Sequence, residues 1–232
     1  MEETGGRAEG FAHPAGKRSL KEWVLRLVLM LAGLTVAHLG VTLFILPALG
    51  SDPFTIFAQG WASQFGVSVG TAHVVILCFL MVVMLLTTRG YVLPGTVVCS
   101  FCGGPIIDMF SWLLRDIVSS ASPMLVRVLS MLAGCVVLAA GMSLVIKSDA
   151  GTGANDLVAV IMTDKLKRFQ FRWVRVACDV FFAASGFLLG GVLGFGSLAA
   201  ALLVGPVAQF FFPTMERLVG MMVARFIPAR SA

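Results

Sequence analysis

The chain has 232 residues, of which 58% are hydrophobic and 12% are charged, and its formal net charge is +5. A soluble domain carries about a quarter charged residues, so the composition excludes an ordinary soluble globular protein. Apolar runs of about 20 residues recur along the chain, which is typical of membrane-spanning helices. The positive charge therefore indicates basic loops at an anionic membrane surface rather than a nucleic-acid partner.

Residues 1–22 come first and are polar and rich in glycine, which predicts a disordered cytoplasmic tail. This stretch does not resemble a signal peptide, because the apolar run after it is too long and lacks a small-residue cleavage site.

Six long apolar runs and two short segments follow the tail. One short segment follows the first long run, the other follows the fourth, and each has about 14 residues, too few to cross a bilayer. The sequence leaves open whether they are re-entrant or interfacial helices. The predicted fold is all-α, a polytopic membrane helix bundle. The predicted spans are residues 23–49, 71–87, 92–114, 124–146, 173–189 and 195–212.

The chain aligns on itself without a gap when it is shifted by 101 residues. Arg26 then meets Arg127, and the sequence MLAG at 30–33 meets MLAG at 131–134. Matches at one constant offset, the 101-residue register, indicate duplication. We therefore predict two membrane repeats, 23–115 and 124–216, and a second cytoplasmic tail, 217–232. Six glycine pairs share the register: Gly33/Gly134, Gly40/Gly141, Gly50/Gly151, Gly90/Gly191, Gly95/Gly196 and Gly104/Gly205.

The distribution of basic residues predicts the orientation of the two repeats. Pro47–Gly70 has no lysine or arginine and is expected outside, whereas both termini and the second short segment are basic and are expected in the cytoplasm. Each half then crosses the cell membrane three times, and the second half is inverted relative to the first, an arrangement found in many transporters. The basic residues predicted inside are Arg7, Lys17, Arg18, Lys21, Arg89, Lys147, Lys165, Lys167, Arg168, Arg172, Arg175, Arg217, Arg225 and Arg230.

The starts of the two short segments carry the first group of candidate binding residues. GSDPF at 50–54 aligns with GTGAN at 151–155. Glycine and proline interrupt the helical hydrogen bonds, and the backbone groups released in this way must face a cavity or other protein at membrane depth. The candidates can also be ordinary helix caps, and the two roles are compatible. They are Asp52, Pro53, Thr152, Asn155 and Asp156.

A Gly-Pro pair deep in each half supplies the second group of candidates. Small residues allow close helix crossing in lipid, so both pairs are expected in close crossings near the pseudo-two-fold axis. Asp108 is either a ligand or a partner of Arg115. This group comprises Gly104, Pro105, Asp108, Gly205, Pro206 and Gln209.

Three further polar residues lie within predicted spans. Asp179 is expected to bind a ligand or to pair with Arg127 or Arg175. His38 and His73 are predicted to be hydrogen-bonded core residues.

The sequence contains no motif that predicts a catalytic or metal site. Cys99 and Cys102 form a C-x-x-C, but no second pair and no nearby histidine completes a zinc site. Hydrolase, metalloprotease and P-loop motifs are missing from the sequence. We therefore expect no enzyme activity, no cofactor, no metal and no disulfide.

Three stretches together resemble a known family. GSDPF, GTV with GGPIID, and GTGANDLV with LLGGVLGFGSLAAALLVGP are similar to the YczE/YitT group of bacterial integral membrane proteins, and the resemblance extends over about residues 23–215. It implies several membrane spans in two related halves. The position that matches Asp108 in the second half is Gln209, which argues against a mechanism that uses paired acids.

Two classes of function agree with these observations. The first is a small transporter or permease that binds a small molecule or an ion between inverted halves. The second is a membrane regulator or assembly factor that does not transport and acts through its basic cytoplasmic face. We expect the protein to lie in the lipid bilayer, and the sequence leaves open whether it forms a homo-oligomer.

Overall fold

The computed structural model describes residues 18–88, 90–166 and 169–227 and contains eight α-helices within them. The predicted tail at 1–17, the basic residues Arg89, Lys167 and Arg168, and the stretch 228–232 lie outside the described residues. The helices are α1 (Leu20–Ile45), α2 (Pro53–Phe65), α3 (Val69–Thr87), α4 (Pro94–Leu114), α5 (Met124–Ser148), α6 (Ala154–Leu166), α7 (Phe171–Leu188) and α8 (Phe195–Phe226).

The chain is a multi-pass helical membrane bundle. Five described helices, α1, α3, α4, α5 and α8, are long and apolar enough to cross a bilayer. Helices α2 and α6 have 13 residues each and are too short to do so. Helix α7 corresponds to the fifth predicted span but is not among those five helices, and it carries Arg172, Arg175 and Asp179.

Two predicted boundaries do not coincide with helix ends. Helix α1 starts at Leu20, inside the predicted tail 1–22, because Ser19 caps it by accepting a hydrogen bond from the Glu22 N–H. Helix α8 continues past the predicted boundary at 216 and ends at Phe226. Polar composition alone is a poor guide here, because caps and hydrogen bonds decide where a helix ends.

The local structure repeats with the same 101-residue register. The bounds of α2 and α6 match at both ends, and α4 and α8 start at matching positions. Unusual backbone angles recur as well: φ is 51° at Ala48 and 52° at Asp149, and it is positive at Gly50 and Gly151. Recurrent left-handed residues at matching positions support the predicted duplication, because few side chains adopt this conformation without constraint.

Helices α1 and α5 cross at the centre of the bundle with their backbones in close approach. A side-chain carbon at Gly33 would lie 3.0 Å from the Gly141 carbonyl oxygen, and one at Gly134 would lie 3.0 Å from the Gly40 carbonyl oxygen. Residue 33 thus lies opposite 141, and 40 lies opposite 134, so the two helices are antiparallel. These four glycines, paired in the sequence register, permit the contact.

Two arginines link the ends of this crossing. Arg26 donates to the Ser148 carbonyl at 3.0 Å, and Arg127 donates to the Pro47 carbonyl at 2.8 Å. Each arginine therefore satisfies a carbonyl at the end of the other half's first helix, where cations are favoured. Both donors and both acceptors are related by the 101-residue register, which supports the predicted inverted repeat.

The two halves differ in how their last helices pack. Gly104 of α4 lies directly against the Gly70 backbone of α3, so this close crossing agrees with the prediction. Helices α7 and α8, in contrast, make almost no contact. A side-chain carbon at Gly205 would meet no atom within 4 Å, so the predicted close crossing there is wrong within the described chain.

Candidate functional site between the two halves

The breaks before α2 and α6 each contact the last helix of the opposite half. Gly196 of α8 donates from its N–H to the Leu49 carbonyl at 2.8 Å, and Gly95 of α4 donates to the Ala150 carbonyl at 3.0 Å. Donors and acceptors again obey the 101-residue register. The backbone groups freed at the breaks therefore face the other half, as buried polar groups require.

A hydroxyl-bearing residue from the opposite half packs against the glycine in each break. A side-chain carbon at Gly50 would lie 2.6 Å from Ser197 Oγ, and one at Gly151 would lie 2.6 Å from the Thr96 nitrogen. Glycine is required at both positions because φ is positive and the space is filled.

The start of α6 holds a partly buried ionic cluster. Arg175 of α7 binds Asp156 at 2.6 Å and Asp179 at 3.2 Å. Thr152 Oγ1 and the Asn155 amide also donate to Asp156, at 3.3 Å and 3.2 Å. Asp156 therefore has three donors, and of the two partners proposed for Asp179, the structure shows Arg175 rather than Arg127.

Asp52, at the start of α2, is less completely paired. Its Oδ1 accepts a hydrogen bond from the Thr55 N–H at 3.1 Å, which is the predicted capping role. Its Oδ2 is buried and has no hydrogen-bond partner within the described residues. Asp156 and Asp179 lie within electrostatic range of it, and Arg175 pairs with these two carboxylates.

Two buried hydroxyl groups beside the breaks are also unpaired within the described chain. Ser51 and Thr96 are both 0% exposed, and neither side-chain oxygen has a partner. The large majority of buried polar side-chain atoms have a partner, so such atoms need an explanation, and a bound water or ion is one. The sequence interpretation missed both residues. The repeat register could have revealed them, because it pairs Ser51 with Thr152 and Thr96 with Ser197.

A small pocket lies beside the break before α6. Thr96 and Thr152 line it, together with Gly151 and Tyr91. The Tyr91 hydroxyl donates to Asp164 at 2.7 Å, and this bond, with partial burial, raises the pKa of Tyr91. Tyr91 therefore stays protonated at neutral pH and ties the α3–α4 connection to α6.

The two histidines lie in the core, as predicted, but only one has the expected hydrogen bond. His38 Nδ1 lies 2.8 Å from the Leu34 carbonyl. His73 Nδ1 has no partner among the described residues, although its ring packs on His38 and Phe54 with centroids 5.2 Å away. Gly103 of α4 lies beside both rings and leaves room for them.

Asp108 lies apart from this cluster and has a capping role. Its Oδ2 accepts from Ser68 Oγ at 2.5 Å, and its Oδ1 accepts from the Gly70 N–H at 3.0 Å. It thereby satisfies the first turn of α3 from α4. Arg115 pairs with Asp116 at 3.9 Å, so the proposed partnership with Asp108 is wrong.

The other candidates of the Gly-Pro group also lie away from the cluster. Pro105 and Pro206 lie within continuous helices, exposed on α4 and α8. Gly205 and Gln209 are exposed on α8. The structure thus brings together Asp52, Thr152, Asn155 and Asp156, with Pro53 in the first turn of α2, but not the Gly-Pro residues.

No metal-binding constellation is found in the part of the chain that the structure describes. No three histidine, cysteine or acidic side chains converge there closely enough to hold a metal ion. The five cysteines, Cys78, Cys99, Cys102, Cys135 and Cys178, are free thiols.

Comparisons with known proteins identify relatives over most of the chain. A family described as "Family of unknown function (DUF6198)" matches residues 24–213. The chain is 29% identical over 208 residues to the uncharacterized membrane protein YczE of Bacillus subtilis (strain 168), covering 88% of this chain and 94% of YczE. It is 28% identical over 194 residues to an uncharacterized protein of Haemophilus influenzae, covering 82% and 84%. These matches confirm the YczE resemblance, and no solved structure matches the chain significantly.

Proposed function

The chain belongs to the DUF6198 family, and we propose that it is a small membrane transporter or permease whose site lies between its two halves. One observation carries the proposal: a partly buried ionic cluster lies at the start of α6, and the buried Asp52 Oδ2 atom at the start of α2 is left unpaired among the described residues. Ionisable groups within membrane helices are costly and are by default functional.

The relation between the two breaks supports transport over a static role. Transporters with inverted repeats bind substrates at the starts of discontinuous helices near the repeat interface. Here the breaks before α2 and α6 share a register, contact the opposite half through matching hydrogen bonds and carry matching glycines. In such transporters one repeat rocks against the other around the fixed site, and the same motion is proposed here.

The charge of the cluster favours a cationic substrate or coupling ion. Asp156 and Asp179 both pair with Arg175, and Asp52 has no salt bridge among the described residues. The carboxyl groups near this site therefore outnumber its paired arginine. Cations are therefore the first solutes to test, and the proposal involves no catalytic step.

Uptake into proteoliposomes tests the proposal. Purified protein is reconstituted, and pooled radiolabelled cations, anions and neutral metabolites are supplied from outside. We expect at least one solute to enter above the level of empty vesicles, and Asp52→Asn to reduce that uptake about tenfold or more. Asparagine still caps a helix, so the folded protein is expected to persist.

Asp116→Asn is the matched control, because it removes a charge from a carboxylate whose side chain is 88% exposed. This variant is expected to transport like the wild type. If no pool yields protein-dependent uptake, or if Asp52→Asn transports normally, the proposed site is wrong. A complete lack of uptake would favour the alternative, a regulator that acts through its basic cytoplasmic face.

A further inference from the structure

Each of the two helix breaks is flanked by one hydroxyl-bearing residue from each half of the chain. In the second break, Thr152 follows Gly151, whose φ is positive. Thr96, the third residue of α4, belongs to the first half. The 101-residue register matches these two threonines with Ser51 in the first break and with Ser197 on α8. The same pair of hydroxyl groups therefore recurs at both breaks.

The small pocket beside the second break has room for a single small occupant. Its volume is about 20 Å³, whereas one water molecule needs about 10–15 Å³. Thr96 lines this pocket and is 0% exposed, and its hydroxyl has no partner among the described residues. A phosphate or a carboxylate is too large for this volume, so the occupant is one water molecule or one ion.

The groups around the pocket are oxygen atoms that can bind a cation. Thr152 Oγ1 donates its hydrogen to Asp156 at 3.3 Å, so its remaining valences are lone pairs. Gly151 also lines the pocket, and its carbonyl oxygen accepts no backbone hydrogen bond within the described chain. Ile146 places the last turn of α5, the negative end of that helix, beside the pocket. Unwound carbonyls and the C-terminal ends of half-helices coordinate cations in transporters.

The charges near the pocket disfavour both an anion and a divalent cation. Asp149 lines the pocket, and Asp156 lies one hydrogen bond away from it. The start of α6 favours negative charge, but Asp156 in its first turn already supplies it. Asp149 pairs with Arg18, and Arg175 binds Asp156 at 2.6 Å. Calcium and magnesium ions rely on carboxylate ligands, and both carboxylates here are engaged by arginines.

We propose that this pocket binds one dehydrated alkali-metal cation, sodium or potassium, through the hydroxyl oxygens of Thr96 and Thr152 and the carbonyl oxygen of Gly151. Such ions are held by carbonyl and hydroxyl oxygens rather than by the imidazole and thiolate ligands that transition metals prefer. The bound ion gives the buried Thr96 hydroxyl a partner that the protein does not supply. Its role as a coupling ion rests on the proposed function, whereas its binding does not.

Binding of radiolabelled sodium and rubidium, a congener of potassium, to the purified protein tests the site. The wild type is expected to bind one of them saturably, at one ion per chain and without competition from choline. Thr96→Val is expected to lower the affinity about tenfold or more, because an oxygen ligand to a charged group is lost. Thr96→Ser keeps the hydroxyl and should retain binding. Thr42→Val is the matched control, because Thr42 is also 0% exposed but does not line the pocket.

Thermal unfolding in detergent is the second measurement. The Tm of the wild type is expected to rise in sodium or potassium chloride relative to choline chloride at equal ionic strength, since a ligand of the folded state stabilises it. Thr96→Val should fold but lose this shift, because valine keeps the shape and removes only an unpaired hydroxyl. Failure of this variant to fold would contradict the proposal, since the protein itself would then need the hydroxyl.

Three other outcomes would overturn the ion site. They are the absence of saturable binding of either ion, unchanged binding by Thr96→Val, and an equal loss in Thr42→Val. The site and the proposed transport can fail separately. Ion binding without uptake into proteoliposomes would support the site and contradict transport, and uptake without ion binding would do the reverse.

Discussion

Asp108 illustrates at the residue scale how a carboxylate in a membrane helix can be structural. Its two oxygens accept from Ser68 and from the Gly70 N–H, which fixes the start of α3 against α4. Asp52 also caps a helix, but one of its oxygens is left buried and unpaired. The difference between a cap and a candidate ligand is therefore the number of oxygens that the protein itself satisfies.

A double variant tests this assignment of Asp108. We expect Asp108→Ala to destabilise the protein by about 1–3 kcal/mol, because the Gly70 N–H and the Ser68 hydroxyl lose their acceptor. Adding Arg115→Gln is expected to cause no recovery, since Arg115 pairs with Asp116. The measurement is thermal unfolding in detergent, with Asp116→Ala as the control. Recovery in the double variant would contradict the capping role.

The element scale is dominated by the crossing of α1 and α5. Gly33, Gly40, Gly134 and Gly141 allow these antiparallel helices to approach at backbone distance. Without a hydrophobic driving force between helices in lipid, such packing and interhelical hydrogen bonds provide the stability. Ser130 of α5, which donates to the Leu43 carbonyl at 3.0 Å, adds one of these bonds.

Glycine substitutions separate this crossing from the open surface of α8. Gly141→Leu is expected to prevent folding or to cost more than the ~1–3 kcal/mol of ordinary overpacking. The reason is that a first side-chain carbon would lie 2.6 Å from Ala37 Cα and 2.7 Å from the Gly33 carbonyl oxygen. Expression and fluorescence-detected size exclusion are the measurements, and Gly220→Leu is the control. Equal yields of the two variants would show that the crossing is less tight than described.

At the scale of the whole molecule, the two halves match in local structure at the 101-residue offset but differ in how their last helices pack. The breaks before α2 and α6, the arginine pair and the central glycines repeat. The packing of the last helix does not repeat, because α3 packs against α4 whereas α7 makes almost no contact with α8. The centre of the molecule is thus close to two-fold symmetric, while its periphery is not.

The orientation of the whole molecule is tested by labelling from each side. We expect Val67→Cys, in the α2–α3 connection, to react with an impermeant thiol reagent added to intact cells. Lys165→Cys, near the end of α6, should react only after the cells are permeabilised. Both positions are exposed, so access is decided by the membrane. Labelling of both from the same side would contradict the predicted inverted topology.

The sequence by itself determined the membrane class, the helical fold and the repeat, because these follow from the lengths of apolar runs and from glycine register. It also located both helix breaks, since Gly50, Asp52 and Pro53 are local signals for backbone conformation and capping. Only the tertiary structure decided which polar atoms are paired. The pairing of Asp179 with Arg175, the role of Asp108 and the open surface at Gly205 depend on distances between residues far apart in sequence, which periodicity does not contain. The same applies to Ser51 and Thr96, because a buried hydroxyl and an exposed one look alike in a sequence.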